Sequence, residues 1–552
     1  MGARKILAPL CMALVVLAIL AAIVAWLPIR NARDAWRRGN NSVAIEQAER
    51  WWQVQLWPAQ YHQILAAVYL TAGNPSAAKS HLGAIAGRTL WLSALPKDEV
   101  ARKLFARGRY DDFLQYDAAV RERNETADLP LYRAAALAAT GRVSDAETAL
   151  RSVDRSRVSV QKLVALQQAI ASRRAGNYPL VIARDGTAIA SVRNGGALVA
   201  DDKDFDAFVD SEGGSLTIGA HLQQLGVQDT IETTLDPFVQ KAAIAALGKY
   251  RGGLVAIDPR TNEVLAIAST RGSGALKNIA LEGQYEPGSV VKVLTGLNAL
   301  SGGTDVKSMF PYDCKGDLMI DGRHFGDWIG TGHGRLDGLN EALAESCNIV
   351  FADLGLRLGL DRLKRFMTAA GFDGQADLDL FQVPLGKTIP PIFNHYETAF
   401  FAIGLQHETT SAMHLAMIAS MVANRGALTT PLLVRSRRSI LGDVVAGAKP
   451  QGRAQLAPRA AAEQIVQAMI RVVESPKGTG RRAKVDGVLL ALKTGTAGER
   501  KEGGLESVIM AFAPADSPKI AFGMIAEDAG PAEYAGARIA HDFVEAIRPR
   551  LK

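Results

Sequence analysis

Five glycines recur at an almost constant interval in the first third of the chain, and this spacing limits how that region can fold. The intervals are 34, 35, 33 and 35 residues, and the glycines are Gly39, Gly73, Gly108, Gly141 and Gly176. The sequence between them is rich in alanine and charged residues and has a helical period. A fixed period of this length predicts stacked helix pairs that turn at the glycines.

The 34-residue unit of helix, glycine turn and helix resembles the tetratricopeptide repeat. Three of the five positions that lie five residues after the glycines hold alanine, which lets two helices pack closely. These positions are Ala44, Ala78, Phe113, Ala146 and Val181. The resemblance implies an all-α repeat domain over residues 31–178 that offers a surface to protein partners. The alternative is an irregular helical spacer in which the glycine spacing is accidental.

An apolar run precedes the repeats. Residues 6–27 are apolar and are interrupted only by Pro9. About 20 such residues are enough to span a bilayer, so we predict a membrane anchor over residues 1–30. Arginines lie on both sides of the run, so charge alone does not fix its orientation.

The overall composition excludes several classes of function. A formal net charge of +7 suits an anionic surface or polymer, but no segment matches a nucleic-acid-binding module. Besides Cys11 in the apolar run there are two cysteines, Cys314 and Cys347, and they can pair only if the fold brings them together. No zinc spacing links the cysteines and the nine histidines, so we expect no metal and no cofactor.

The sequence period changes from helical to two after the fifth glycine. Residues 180–190 contain two apolar runs around Arg184-Asp185-Gly186, which is a hairpin signal. We therefore predict a small linker domain, or reduced pedestal, over residues 179–230. The remaining residues, 231–552, would form the last domain.

The string Ser-Val-Val-Lys at residues 289–292 joins a turn to a helix. A proline and a glycine break the preceding segment, and the apolar run 290–300 predicts a helix. Residues at i and i+3 share one helix face, so the amine of Lys292 comes toward the hydroxyl of Ser289. Lysine can activate a serine only if burial or a second cation, such as Lys493, lowers its pKa. The alternative is a capped helix with a structural lysine.

Two shorter strings follow in order along the chain. In Ser-Cys-Asn at residues 346–348, a hydroxyl and an amide can face one cleft if they lie on a turn; the alternative is a helix N-cap. Lys-Thr-Gly-Thr at residues 493–496 ends an apolar strand. The lysine and threonines there suit a substrate carboxylate, and the glycine leaves room for substrate against the backbone. The alternative is a cationic strand edge that guards against aggregation.

Together these three strings form a motif set found in serine acyl-transferases that open penicillins or cross-link cell wall. The chain also resembles the transpeptidase domain of the high-molecular-mass penicillin-binding proteins beyond these motifs. Similar segments are residues 233–236, 253–266 and 332–334. The resemblance covers about residues 230–550.

The resemblance implies a multidomain α+β protein. In order, it has a transmembrane helix, an all-α repeat domain and a penicillin-binding/serine β-lactamase-like transpeptidase domain, which is a five-stranded antiparallel sheet with a helical subdomain. It also implies a single-pass protein of the cytoplasmic membrane whose catalytic domain is extracytoplasmic. The implied substrates are peptidoglycan stem peptides ending in D-Ala-D-Ala, and β-lactams would bind as well.

The resemblance also assigns roles to single residues. Ser289 would be the acylated nucleophile and Lys292 its base, while Ser346 and Asn348 would assist proton transfer. The substrate carboxylate would lie at the 493–496 string, where the binding residues are Lys493, Thr494, Gly495 and Thr496. Backbone N–H groups of Ser289 and Thr496 would form the oxyanion hole.

The chain departs from the family pattern after the second string. The family commonly has Gly-x-Gly followed by Thr-Pro-x-Gln, whereas this chain has Gly-Leu-Gln at residues 404–406 and Ser-Ala-Met-His at residues 411–414. This departure concerns the wall of the pocket rather than the acylation chemistry.

Several functions share these motifs. The leading interpretation is a monofunctional D,D-transpeptidase, because no glycosyltransferase module is found between anchor and site. A D,D-carboxypeptidase shares the first half-reaction, and a scaffold or β-lactam sensor with a slow site is a further alternative. A β-lactamase is disfavoured because no loop matches the one that carries the deacylating glutamate in class A enzymes.

Overall fold

We analysed a computed structural model of the chain. The structure describes residues 3–51, 57–90, 93–123, 125–193, 197–209, 228–270, 278–302, 304–390, 392–448, 452–498 and 504–552. The chain divides into two compact units. The helical unit contains Met1–Tyr178, Val227–Thr230 and Arg437–Ala446, and the mixed unit contains the rest of the chain.

The helical unit is built from consecutive helices. They are Ala3–Arg37, Asn41–Trp51, Pro58–Thr71, Pro75–Ile85, Lys97–Phe105, Tyr110–Ala119, Leu129–Ala139, Val143–Arg151 and Val160–Arg174. Two short strands, Thr89–Leu90 and Arg121–Glu122, pair in parallel.

The periodic glycines lie at the turns of this unit. All five have a positive φ, between 67° and 85°, a backbone conformation that glycine adopts without steric cost. The first four each connect two helices, and Gly176 is followed by the strand Tyr178–Ile182. Ala44, Ala78 and Ala146 are fully buried, as expected for close helix packing. The turns and the change of period after Gly176 therefore lie where the sequence predicted them.

The first helix combines an exposed apolar part with a buried part. Its segment Met12–Arg37 is the one helix among the described residues that is long and apolar enough to cross a membrane. Met12 and Leu17 are largely exposed, whereas Ile29 and Trp36 are fully buried in the helical core. The helix continues to Arg37 without a break, past residue 30, where we expected the anchor to end.

Two distant chain segments complete the helical unit. Tyr110 donates a hydrogen bond to Asp229, whose second oxygen lies 3.0 Å from Nε of Arg437. Ile440 and Leu441 belong to the same buried cluster as the helices. Sequence analysis did not predict this arrangement, because the contacts join segments more than 100 residues apart.

The mixed unit begins with the predicted hairpin. Its strands are Tyr178–Ile182 and Ala188–Val192, and Gly186 donates its N–H to the carbonyl of Ala183 in the turn. Leu198–Ala200 continues the sheet, and Tyr178–Ile182 pairs in parallel with Thr230–Thr233. Residues 210–227 of the predicted linker domain lie outside the described residues.

A five-stranded antiparallel sheet forms the core of the mixed unit. Its order is Ala491–Ala497, Glu506–Ala513, Ile520–Ala526, Gly252–Ile257 and Val264–Thr270. Alternate residues contribute to two hydrophobic clusters: Val508 and Met510 pack with one, and Ile509 and Ala511 with the other. Because strand side chains alternate between faces, this division shows that both faces are buried. The predicted antiparallel sheet of five strands is confirmed.

Helices cover both faces of this sheet. The helices of the mixed unit are Asp206–Val209, Pro237–Leu247, Ile279–Glu282, Lys292–Leu300, Leu339–Ala344, Asn348–Leu358, Leu360–Ala369, His395–Ile403, Ala412–Ala423, Arg459–Glu474 and Ala535–Leu551. Short 3₁₀ turns are Lys203–Phe205, Gly288–Val291, Lys307–Met309 and Arg481–Ala483. The minor strands are Tyr312–Cys314, Asp317–Ile320, Arg323–Gly326, Gly334–Leu336, Gln375–Asp377, Gln382–Pro384, Lys387–Thr388, Glu408–Thr409, Ala427–Thr429, Val434–Arg438, Val444–Gly447 and Arg453–Gln455.

Candidate active site

Ser289 lies in a tight turn that leads directly into a buried helix. The 3₁₀ turn Gly288–Val291 precedes the helix Lys292–Leu300, so the helix begins two residues later than the sequence predicted. In a 3₁₀ turn, residues at i and i+3 lie nearly above one another. The turn therefore keeps Ser289 and Lys292 on one side, and Ser289 is half-buried at the wall of a cleft.

Two glycines allow the strand Ala491–Ala497 to approach this turn closely. A Cβ at Gly495 would lie 2.4 Å from the carbonyl oxygen of Pro287, and a Cβ at Gly288 would lie 2.6 Å from that of Thr496. Side-chain carbon atoms do not come this close to backbone oxygens in folded proteins. The missing side chain of Gly495 therefore permits the close packing of strand against turn, a role that the sequence did not predict; the predicted room for substrate stays a prediction.

Lys292 is fully buried beneath the cleft. Its Nζ lies 2.6 Å from the carbonyl oxygen of Ser346, 2.6 Å from Oδ1 of Asn348 and 3.3 Å from Oγ of Ser346. Burial lowers the pKa of Lys292 to about 8, although the nearby carboxylate of Asp327 opposes this shift. Burial, rather than the charge of Lys493, is thus the main cause of the lowered pKa that the chemistry requires.

The contacts of Lys292 suit a neutral amine. Two hydrogens can point to the carbonyl of Ser346 and the amide oxygen of Asn348, which leaves the nitrogen lone pair for another group. Among the described residues, Lys292 forms no hydrogen bond with the hydroxyl of Ser289. The structure therefore brings the two residues to one site without joining them.

Ser346 and Asn348 lie on a turn, as predicted for a shared cleft. Ser346 joins the helices Leu339–Ala344 and Asn348–Leu358 and has a φ of 60°, which is uncommon for a residue other than glycine. Cys347, not Ser346, occupies the N-cap of the second helix. In this conformation the backbone carbonyl of Ser346 accepts a hydrogen bond from Nζ of Lys292. The hydroxyl of Ser346 accepts one from Nζ of Lys493, with 2.9 Å between the two atoms.

Lys493 is also fully buried, within the strand Ala491–Ala497. Its Nζ donates to Oγ of Ser346 and, at 2.8 Å, to the carbonyl of Thr494. Burial and the charge of Lys292 lower the pKa of Lys493 well below its usual value. An incoming carboxylate would offset part of this burial cost and favour the charged amine.

The two threonines of the string have different partners. The hydroxyls of Thr494 and Thr479 lie 2.6 Å apart, and Oγ1 of Thr496 accepts from the N–H of Ala532 at 3.0 Å. Thr479 was not predicted from sequence, because nothing in its surroundings distinguishes it from other Gly-Thr-Gly turns. It anchors one wall of the site.

A cleft of about 430 Å³ unites these groups. The described residues that line it are Ser289, Trp328, Ser346, Asn348, Leu405, Thr479, Thr494, Thr496, Leu505, Pro531, Glu533 and Tyr534. Lys292 and Lys493 lie beneath it and reach it through Ser346. All eight predicted site residues are therefore at the cleft or directly below it.

A buried polar cluster supports the second string from behind. Asp327 accepts the N–H of Asn348 at 2.9 Å and contacts Nε2 of His333 at 3.2 Å. The other ring nitrogen of His333 lies 3.2 Å from Glu345. Although burial opposes it, the hydrogen bond and charge of Asp327 raise the pKa of His333. Sequence analysis singled out residues 332–334 but not Asp327.

The two cysteines of the mixed unit meet at this cluster. Cys314 and Cys347 are buried free thiols whose sulfur atoms lie 3.3 Å apart. Ligand atoms of these cysteines and of Asp327 all lie within 4.8 Å of one another, so the three groups could hold a metal ion. Spacing along the chain did not indicate this group, because its members become neighbours only in the folded protein.

The residues that depart from the family pattern have clear structural roles. Gln406 has a φ of 69°, the conformation that a glycine would adopt without cost, and its N–H donates to Glu286 at 2.7 Å. His414 is fully buried and contacts the carbonyl of Ala370 and the hydroxyl of Thr410. Burial lowers the pKa of His414 to about 4, so it is a neutral core residue at physiological pH.

Comparisons with known proteins agree with this geometry. The family model for the penicillin binding protein transpeptidase domain matches residues 252–548, more than half of the chain. The chain is 29% identical over 337 residues to peptidoglycan D,D-transpeptidase PbpA of Mycolicibacterium smegmatis, covering 54% of this chain and 67% of that protein. It is also 29% identical over 361 residues to peptidoglycan D,D-transpeptidase MrdA of Acinetobacter baumannii, covering 56% and 53% respectively.

Solved structures share the fold. The ceftriaxone acyl-enzyme complex of penicillin-binding protein A from M. tuberculosis matches with a TM-score of 0.59 at 21% identity, covering 67% of this chain and 98% of that chain. The chain spans only about half to two thirds of the length of the curated relatives named above. Through its matched domain, the chain belongs to the penicillin-binding protein transpeptidase family.

Proposed function

We propose that this protein is a membrane-anchored, monofunctional D,D-transpeptidase that cross-links peptidoglycan through a serine acyl-enzyme. The observation that carries the proposal is the convergence of Ser289, Lys292, Ser346, Asn348 and Lys493 at one cleft. Stem peptides ending in D-Ala-D-Ala are the proposed substrates. β-Lactams would acylate the same serine, as ceftriaxone does in the M. tuberculosis protein of the same fold.

Acylation begins with Lys292. As a neutral amine held by Ser346 and Asn348, it takes the proton of Ser289 while the serine oxygen bonds to the penultimate D-Ala carbonyl. A pKa of about 8 leaves a useful neutral fraction at physiological pH. The proton then passes to the nitrogen of the terminal D-Ala as the peptide bond breaks.

Ser346 is suited to relay that proton. Its oxygen accepts from Lys493 at 2.9 Å and lies 3.3 Å from Nζ of Lys292. A hydroxyl that accepts from Lys493 can direct its own proton toward the lone pair of Lys292 or into the cleft, toward a leaving amine. Asn348 holds Lys292 in place for this exchange.

The other end of the site would bind the terminal carboxylate and the oxyanion. Lys493, Thr494 and Thr496 offer an amine and two hydroxyls to the carboxylate. The N–H groups of Ser289 and Thr496 are proposed as the oxyanion hole, and the close contact of Gly288 with Thr496 supports this assignment. Gly495 contributes by permitting that contact.

Deacylation decides between two related activities. An amine from a second stem peptide completes cross-linking, whereas water would make the protein a D,D-carboxypeptidase. The acyl-enzyme is common to both, and the curated relatives named D,D-transpeptidases favour the first. A scaffold or β-lactam sensor would also be acylated but would show little turnover.

We further propose that residues 31–178 are tetratricopeptide-like repeats that bind a protein partner. Four helix pairs with equivalent glycine turns and buried small residues support this architecture. Residues 1–30, which contain the apolar run 6–27, are proposed to anchor the chain in the cytoplasmic membrane with the catalytic domain outside the cytoplasm, where the substrate lies; the exposed apolar part of the first helix supports this.

The activity is tested with a D-Ala-D-Ala donor peptide and an amine acceptor. A transpeptidase releases D-Ala and forms the donor–acceptor product at a rate that rises with acceptor concentration. Release of D-Ala with hydrolysed donor alone would indicate a carboxypeptidase. Acylation by penicillin without donor turnover would indicate a sensor.

A further inference from the structure

One wall of the cleft carries a carboxylate that the steps above do not use. Glu533 is half-buried among the cleft-lining residues, and its side chain forms no ion pair or hydrogen bond with any residue that the structure describes. The other described residues of the lining are uncharged. A solvent-facing glutamate needs no explanation, but a single charge placed inside a substrate cleft selects among ligands.

The turn that carries Glu533 is fixed to the reactive strand. The N–H of Ala532 donates to Oγ1 of Thr496 at 3.0 Å, and Tyr534 donates its N–H to the carbonyl of Pro531 at 3.0 Å. On the other side, the guanidinium of Arg482 lies 4.3 Å from the centre of the Tyr534 ring. Both neighbours of Glu533 are thus held, so the backbone that carries its side chain keeps a defined place relative to the 493–496 string.

Charge therefore divides the site into two parts. Lys493, whose charged form a bound donor carboxylate would favour, puts the positive charge on the buried floor of the site, next to Ser346. Glu533 puts the negative charge on a wall that ligands can reach. The donor peptide brings a carboxylate, and the acceptor brings an amine that is largely protonated at neutral pH. Only the acceptor has the charge that Glu533 attracts.

We infer that Glu533 positions the acyl-acceptor amine and thereby favours aminolysis of the acyl-enzyme over hydrolysis; this inference rests on the proposed function. The acceptor ammonium loses one proton to solvent, and its nitrogen then bonds to the acyl carbon. The bond from that carbon to Ser289 breaks, and the nitrogen's second proton returns to the serine oxygen through Ser346 or Lys292. The acceptor nitrogen is positively charged when it enters the cleft as an ammonium group, and again in the tetrahedral adduct. The carboxylate of Glu533 stabilises both charged states.

The test measures how the acyl-enzyme partitions. A D-Ala-D-Ala peptide serves as donor and glycinamide as acceptor, because glycinamide has an amine but no carboxylate. We expect Glu533→Gln to lower the ratio of aminolysis to hydrolysis about three- to fivefold, the upper part of the range for an exposed ion pair. Glu533→Asp should retain more of the ratio than Glu533→Gln. The rate of penicillin acylation is measured alongside and reports the first half-reaction separately. Glu545→Gln, which removes a carboxylate from the C-terminal helix, is the matched control and should leave the ratio unchanged.

Salt distinguishes a charge effect from a structural one. Raising the salt concentration should lower the ratio for the wild-type protein and change it little for Glu533→Gln, because ions screen exposed charges. A Glu533→Gln ratio within about twofold of wild type, or an equal salt dependence in both, would overturn the inference while leaving the transpeptidase proposal intact. A wild-type protein that hydrolyses the donor but never transfers it to glycinamide would overturn both.

Discussion

Lys493 donates a hydrogen bond to Ser346, with 2.9 Å between Nζ and Oγ. The same oxygen lies 3.3 Å from the amine of Lys292, so one hydroxyl joins the two buried lysines. Each lysine is contributed by a different motif, and the serine comes from the third. The three strings of the sequence therefore form one hydrogen-bonded group, and a change in any of them should affect the other two.

The first prediction concerns pH. Lys292 acts as a base only when neutral, and its pKa is lowered to about 8 by burial. The neutral fraction falls about tenfold for each pH unit below that value, so the penicillin acylation rate should rise with pH and level off above about 8. Stopped-flow acylation across this range measures the profile. Lys292→Met should lower the penicillin acylation rate about 10²–10⁴-fold and abolish its pH dependence. A variant that kept the pH profile of the wild-type protein would show that another group takes the proton.

The second prediction separates the role of Lys493 from that of Lys292. Lys493→Met keeps the buried volume but removes the amine. Acylation by donors with a terminal carboxylate should fall about 10- to 100-fold more than acylation by carboxylate-free thioesters, since hydrogen bonds to a charged group are worth about 1.5–3 kcal/mol. Comparing kcat/KM for a matched pair of donors measures the difference. Equal losses for both donors would refute the carboxylate role.

The third prediction concerns Gly495. An alanine there would place a methyl group 2.4 Å from the carbonyl oxygen of Pro287, and neither backbone segment can yield easily. We expect Gly495→Ala to slow penicillin acylation strongly and to destabilise the unit by about 1–3 kcal/mol, as overpacking does. Thermal unfolding and acylation rate are the measurements. Gly326→Ala, at a strand position where a Cβ meets nothing within 4 Å, is the control and should be nearly neutral.

The fourth prediction concerns the helical unit. Deleting residues 31–178 should spare penicillin acylation, because none of the described residues that line the cleft belongs to that unit. The deletion would, however, remove the packing around Ile440 and Leu441, which are buried in the helical core. The truncated protein should aggregate unless both are replaced by serine. Loss of acylation in the soluble, doubly substituted protein would show that the repeats belong to the catalytic fold.

Partner binding by the repeats is tested separately. Pull-downs with the full chain and with the truncated, doubly substituted protein should differ in at least one recovered protein. Identical recoveries would contradict the proposal that residues 31–178 bind a partner, while leaving the proposed chemistry unaffected.

Sequence reasoning picked out residues that the structure brings to one cleft, because local geometry dominates there. Ser289 and Lys292 are three residues apart in one turn, and the apolar run before Lys493 leads into the strand that contains it. The glycine turns of the helical unit could be predicted for the same reason, because each turn needs only one residue with a positive φ between two helices. Each of these features is determined by a short stretch of chain, so it can be predicted from the local sequence.

Features that depend on distant segments were not predicted. Thr479 reaches Thr494, Asp327 reaches Asn348, and Cys314 meets Cys347, each through the folded chain. The packing role of Gly495 was not predicted for the same reason, because its close neighbour Pro287 lies some 200 residues away in sequence. Burial and the charge of Lys493 were offered as alternative causes of a lowered pKa for Lys292; burial dominates, and burial cannot be read from a motif.

The measurement that tests the central claim most directly is mass spectrometry of the protein after reaction with penicillin. The account predicts one covalent adduct, carried by the peptide that contains Ser289, and no adduct in Ser289→Ala, which should remain folded. An adduct on any other serine, or undiminished labelling of a folded Ser289→Ala protein, would contradict the assignment of the nucleophile and the mechanism built on it.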